Sequence, residues 1–449
     1  MDENKINDEK PYIKEKIVKK KNSPAKIIGR ILLWALSGVV FGLCAALAFY
    51  FIKPHFEETK EEETTQAIIE LPVYTQGAET TPPETEPEPT TQEDTESSTE
   101  GARETFFSDE QEAWLKRYME AMAAGRKMEM GDIRAVNTIL ENVAKAAKGS
   151  LVELTGYKSE NAVWKTQGIV FFDAEENNEI LILSDITAAT EADRIMTVFP
   201  SGLPEAEAEI KGCDHVYGIC VLAVSTAGLN EGQKKNIKVT TFGNNYSLGL
   251  TNTIILIGSP YLSYDSAAVG RITYIKPDCQ APDSSFKLFA TDISVPENSK
   301  GFAIDLSGQL VGVFNTNMGL VTNAGAPAGY AAVIGTGSIN DTLSCMSNGK
   351  TASLLGIYGI AVNDELKEAG MPAGVYVSKV MESGPAFNAG ISEGDIITNI
   401  SQAEVTDITH ISHVLTGTHL PEETVKVTMY RQSRGEYQKM TVSVTLGSR

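Results

Sequence analysis

The chain has 449 residues, 42% of them hydrophobic, with 38 glycines and a formal net charge of -21. That length allows more than one domain, and the apolar fraction excludes a wholly disordered chain. So large an acidic excess excludes a nucleic-acid partner, which would need a basic face.

Residues 1–30 are rich in lysine, with Lys14, Lys16, Lys19, Lys20, Lys21, Lys26 and Arg30 leading into an uncharged run over residues 31–52. As a helix rising about 1.5 Å per residue, that run would reach roughly 33 Å, enough for a bilayer core of about 30 Å. Basic residues before it and acidic residues after it predict a single transmembrane helix with a cytoplasmic N-terminus and extracytoplasmic domains. The rival reading is a cleaved signal peptide, since Ala46-Leu47-Ala48 has the A-x-A form. Against it, the apolar run continues through Phe49 to Ile52 and the basic leader is long for such a peptide. Gly38 and Gly42 form a G-x-x-x-G that would let two such helices approach, although small residues are ordinary in membrane helices.

Residues 53–106 are Thr, Glu and Pro with few aliphatics beyond Ile68 to Val73, and they predict a disordered acidic stalk. Residues 107–149 read as a helical lead-in, with an N-cap at Ser108 and a second helix over Ile133 to Ala147. From Leu151 onward, short apolar runs alternate with Gly, Pro, Asn and Asp turns: Gly168 to Phe172, Ile180 to Leu183, Ile219 to Val224, Asn252 to Gly258 and Leu310 to Phe314. Short strands without intervening helices predict a β-barrel or sandwich over residues 150–345. Over residues 352–449, strand patterns at Gly374 to Val380, Asp395 to Ile400, Thr424 to Tyr430 and Lys439 to Leu446 alternate with two short helices. These predict a small α+β domain. Outside the apolar span lie Cys213, Cys220, Cys279 and Cys345, an even number that leaves disulfides and buried free thiols equally open. No Cys/His cluster has metal-ligand spacing, so neither a metal nor a cofactor is expected.

Three segments of the last domain, Leu355-Gly356-Ile357, Ser383-Gly384-Pro385-Ala386 with Ala389-Gly390, and Gly394-Asp395-Ile396-Ile397, resemble a PDZ domain of the kind attached to HtrA proteases. The resemblance implies that the backbone N–H groups of Leu355, Gly356 and Ile357 receive a peptide C-terminal carboxylate. Ile357, Ile411 and Leu415 would line the side-chain pocket, and the peptide would add as a strand. The region before it is similar to the HtrA trypsin-like double β-barrel, through Ile257-Gly258-Ser259-Pro260 and Pro296-Glu297-Asn298-Ser299-Lys300-Gly301 in the family's order. The fold class expected is therefore mainly β: a trypsin-like double barrel, a small α+β PDZ domain and one N-terminal transmembrane helix. A homo-oligomer, by family resemblance a trimer, is implied as well.

The family's reaction needs a serine nucleophile, a histidine that takes its proton and an aspartate that orients the histidine. By resemblance the serine position falls on Ser299, the histidine position on Asp185 and the aspartate position on Gly218. A carboxylate is too weak a base to take a serine proton, and Lys300 adjoins Ser299, where neighbouring side chains diverge. His215 is the one histidine in the barrel region, in the turn before the Ile219 strand. Glu297 stands where the family's oxyanion hole has glycine, bringing negative charge to the wrong place. These departures predict a pseudoprotease that binds protein termini through its PDZ domain in envelope quality control. The alternative is a divergent active endopeptidase using Ser299.

Overall fold

The computed structural model describes residues 130–449, apart from the side chain of Thr322, together with Ile68, Ile69, Leu71, Lys116 and Arg117. All of these belong to one compact unit, Ala67–Arg449. The expected tail, the apolar span over residues 31–52 and the cap at Ser108 lie outside the described residues. Among the described residues no helix is long and apolar enough to cross a membrane.

Six strands, β1 (Leu151–Lys158), β2 (Asn161–Ala174), β3 (Glu179–Asp185), β4 (Arg194–Val198), β5 (Ala206–Asp214) and β6 (Ile219–Ser225), close into a barrel in the order β1-β2-β3-β6-β5-β4. Six more follow: β7 (Thr253–Ser259), β8 (Ser266–Ala281), β9 (Ser284–Ser294), β10 (Lys300–Ile304), β11 (Leu310–Asn315) and β12 (Tyr330–Gly335). They close in the same winding, β7-β8-β9-β12-β11-β10. The choice between barrel and sandwich thus resolves to two closed barrels of one topology.

The sequence reaches this arrangement through strands that are apolar on both faces. In β3, Ile180 and Ile182 point into the first barrel with Val152, Val170 and Leu222. The alternating Leu181 and Leu183 point outward, into a seam shared with Ile255, Ile257, Phe302 and Val313 of the second barrel. The interior of the second barrel is a separate cluster around Ile254, Leu256, Phe289 and Val333. Period-two alternation therefore sends one strand into two cores, which is why these segments read as unbroken apolar runs.

Helix α1 (Met130–Lys148) lays Val143 and Ala147 on the seam core. Ile69 and Leu71, inside the stretch expected to be stalk, are buried in the same core, 5% and 6% exposed. The Asn348 side-chain amide accepts from Ile69 N at 2.9 Å and donates to Ile69 O at 3.0 Å, as a neighbouring strand would. An aliphatic island in an otherwise polar segment can bury surface that its neighbours cannot. The cysteines divide: Cys213 and Cys220, facing partners in β5 and β6, form a disulfide, whereas Cys279 and Cys345 are buried free thiols.

Helix α2 (Asn340–Ser347) leads into the last domain. There β13 (Ser353–Leu354) precedes β14 (Ile357–Ala361), β15 (Val375–Val380), β16 (Ile396–Ile400), β17 (Ala403–Glu404), β18 (Thr424–Ser433), β19 (Glu436–Thr445) and β20 (Gly447–Ser448). Helix α3 (Ile408–Thr418) crosses between β17 and β18. The sheet runs β14-β15-β16-β18-β19, with β14 at its edge, and β13 pairs with β20. Asp407 caps α3 through the N–H groups of Thr409 and His410, both 2.9 Å from its Oδ1.

Candidate functional site

The first candidate site is the cleft between the barrels. Strand β3 ends at Asp185, whose carboxylate accepts from Thr187 N at 2.8 Å and so starts the turn that follows. The same carboxylate accepts from the hydroxyls of Thr166 and Thr187. Lys300 reaches across from β10, its Nζ 2.9 Å from Asp185 Oδ1 and 2.7 Å from Thr187 Oγ1. Asp185 is thus an acceptor already supplied with donors.

Gly218 lies beside it, its carbonyl accepting from Ile186 N at 2.9 Å. Its φ of +64° is a backbone state in which glycine is relaxed and an aspartate would be strained. Ser299 is brought to the neighbouring turn but faces the other way. Fully buried, it donates from Oγ to Pro260 O at 2.8 Å. Its N–H closes on Pro296 O at 3.4 Å, a turn in which Asn298 has φ +68°. Lys300 and Ser299 therefore point to opposite sides of the chain. Thr166, Asp185, Gly218, Ser259 and Lys300 are among the residues lining the cleft, and neither Ser299 nor any of the described histidines is. The cavity is about 20 Å³, room for about one water molecule rather than a substrate side chain. Glu297 and His215 are exposed on the surface.

The second candidate site is the loop before β14. Leu355, Gly356 and Ile357 present three N–H groups to one point, made possible by φ +87° at Gly356. That point is occupied by a carboxylate of this same chain. Asp283 Oδ2 accepts from Leu355 N at 2.7 Å and Gly356 N at 2.9 Å, and Oδ1 accepts from Gly356 N at 3.0 Å and Ile357 N at 2.9 Å. Asp283 N in turn donates to Ile357 O at 2.7 Å. Ile357, Ile411 and Leu415 do come together, buried in the core of this domain.

Asp283 is fully buried at the turn between β8 and β9. Burial pushes its carboxyl above the ordinary range, opposed by the N–H groups of Ile357, Gly356 and Leu355 and by Arg449. Arg449, also buried, donates to Ser284 Oγ at 2.8 Å and lies over the Tyr217 ring at 4.7 Å. Its Nε stands 2.8 Å from Asp214 Oδ2, an ion pair whose N–H is not aimed along that line. Tyr217 completes the group, its hydroxyl donating to Ser284 Oγ at 3.0 Å. Sequence reasoning does not single out Asp283. Nothing in the spacing shows that it meets a loop some seventy residues on.

Two closed barrels with a cleft between them, followed by an α+β domain with an amide-lined loop, define a trypsin-like double barrel carrying a PDZ domain. The chain is similar to HtrA-type proteases, and residues 347–446 match the PDZ domain family. A protein of Ectopseudomonas mendocina (strain ymp) called "Probable periplasmic serine endoprotease DegP-like" is 26% identical over 267 residues, covering 58% of this chain and 53% of its own. "Serine protease Do-like HtrA" of Lactobacillus helveticus is 24% identical over 281 residues, covering 60% of this chain and 65% of its own. The chain thus spans about half the length of the first relative and under two thirds of the second. Among solved structures, the HtrA-type protease AlgW with decapeptide covers 69% of this chain and 98% of its own at 19% identity, with a TM-score of 0.44. The serine endoprotease from Yersinia pestis covers 68% and 97% at 21% identity, also with a TM-score of 0.44.

Proposed function

We propose that the chain is a membrane-anchored, extracytoplasmic HtrA-like protein that binds protein C-termini or unfolded segments through its PDZ domain. In this reading it serves envelope protein quality control or its regulation, as a homo-oligomer, and its protease-like barrels hydrolyse nothing. The observation that carries it is the direction of Ser299: Oγ donates to Pro260 O, while Lys300 and not Ser299 meets Asp185. A serine hydroxyl without a base is a weak nucleophile, and a Ser299 N–H turned to Pro296 O is not offered to a developing oxyanion. The span over residues 31–52, with its basic leader, supports the anchor. The alternative, an endopeptidase using Ser299, is favoured by the serine retained at that position and by the serine protease names of the relatives.

The two readings separate with the purified full chain and a fluorophosphonate probe, which labels activated serines only. No labelling and no degradation of casein are expected, in the wild type as in Ser299→Ala. Labelling that Ser299→Ala abolishes would establish the endopeptidase instead.

A further inference from the structure

The three amides at the start of β14 make a cradle for one carboxylate, and both oxygens of Asp283 are in it. The match extends to the main chain. Asp283 N donates to Ile357 O, the bond that the last residue of an added peptide strand would make to an edge strand. A buried carboxylate without donors is costly, and so are buried amides without an acceptor. The two halves therefore satisfy each other, and a second carboxylate finds no N–H left in the cradle. We propose that Asp283 is a built-in occupant of this PDZ site, so that a peptide terminus enters only when the β8–β9 turn withdraws. The proposal rests on the reading of Leu355 to Ile357 as a terminal-carboxylate site and adds its regulation.

Two further observations fit a turn adapted to this contact. Asp283 has φ +58°, a state that glycine or asparagine adopts more readily, yet a carboxylate stands there. The tip of the hairpin, Cys279↔Phe286 to Ala281↔Ser284, is separated from the rest of the ladder by an irregularity between Lys276 and Cys279. Pro277 lies within that break and has no N–H to pair. A bulge of this kind lets the tip tilt without unzipping the barrel. The tip is also held by Cys279, Ala281 and Phe286 in the seam core, by Ser284 with Arg449 and Tyr217, and by Ser378 Oγ donating to Gln280 Oε1 at 3.2 Å, so its withdrawal must lift these as well.

A closed cradle weakens apparent affinity by the fraction of time it is open. The test uses the full chain in detergent and a fluorescein-labelled peptide ending in valine, as free acid and as amide, read by anisotropy. Asp283→Ala is expected to bind the free acid at least about tenfold more tightly than wild type, with the amide at background for both. Asp283→Asn, which tolerates the same φ, should fall between them. Equal affinity in wild type and both variants overturns the cis occupant and leaves the terminal-peptide reading standing. If no protein binds the free acid while Asp283→Ala melts as wild type does, the terminal-peptide reading falls and the proposal with it. Hydrogen exchange on the wild type is independent of any variant. Saturating peptide should expose residues 280–286 while 355–357 stay protected, and unchanged protection of 280–286 overturns the proposal.

Discussion

Lys300 Nζ lies 2.9 Å from Asp185 Oδ1 and ties the end of β3 in one barrel to the start of β10 in the other. The pair is shielded, with side chains 23% and 13% exposed, so removing one partner leaves a charge that water solvates poorly.

Lys300→Met alone should lower stability by about 1–2 kcal/mol, less than a fully buried pair would cost because some water reaches it. Asp185→Asn added to it should cost less than the sum of the two single changes. A double-mutant cycle from urea unfolding midpoints measures the coupling. Strict additivity would show that the pair is incidental.

Asp185→His should not create a hydrolase, even though it installs the expected base. Gly218 at φ +64° leaves the imidazole without an orienting carboxylate, and Ser299 Oγ still faces Pro260 O. Fluorophosphonate labelling of Asp185→His is the check. Any labelling above wild type would mean that the turn holding Ser299 opens more easily than its hydrogen bonds imply.

Burial pushes the Cys345 thiol up to about 11, with Asp214 adding to the shift and Lys350 opposing it. At pH 8 about one molecule in a thousand is then thiolate, against about one in four for an ordinary cysteine. Iodoacetamide should modify Cys345 in the folded chain only slowly at pH 8. The rate should rise about tenfold per pH unit towards 11, because each unit releases tenfold more thiolate. Unfolding in urea should make Cys279 and Cys345 react at once, and Cys213 and Cys220 only after reduction. Site-resolved mass spectrometry reads all four, and fast native labelling of Cys345 would contradict the burial.

Asn348→Ala removes both hydrogen bonds that hold Ile69. Losing about 1.4 kcal/mol there should let a protease cut beside Ile69 about tenfold faster. Limited proteolysis of the full chain followed by mass spectrometry gives the rate. An unchanged rate would show that apolar burial of Ile69 and Leu71 alone fixes the segment.

The sequence exposed the elements whose apolar residues are continuous or regularly spaced. The predicted Asp395 to Ile400 strand and Ile133 to Ala147 helix lie within about three residues of β16 and α1. Strand β5 was harder to see, because Glu207, Glu209 and Lys211 break its apolar rhythm on the solvent side. Strand β8 hides for a related reason, with few buried residues and a proline inside it. Local patterns carry no record of direction in three dimensions. The family resemblance could name Ser299, Asp185 and Gly218, but not that Ser299 turns to Pro260. It could mark Leu355 to Ile357 as amides in search of a carboxylate, but not which carboxylate meets them.

Leu181, Leu183, Ile255 and Ile257 pack the two barrels together along the length of their strands, and Phe302 and Val313 belong both to that seam and to the cleft wall. The cleft wall joins polar Thr166, Asp185 and Lys300 to apolar Ile219 and Phe314, and its Lys300–Asp185 pair adds a polar tie to the adhesion between the barrels. Most of the seam is thus written along the length of the strands, while Asp185, Ser259 and Lys300 of the cleft stand at strand ends. A lineage built this way can rewrite what happens at the mouth of the cleft while the body of the molecule stays as it is.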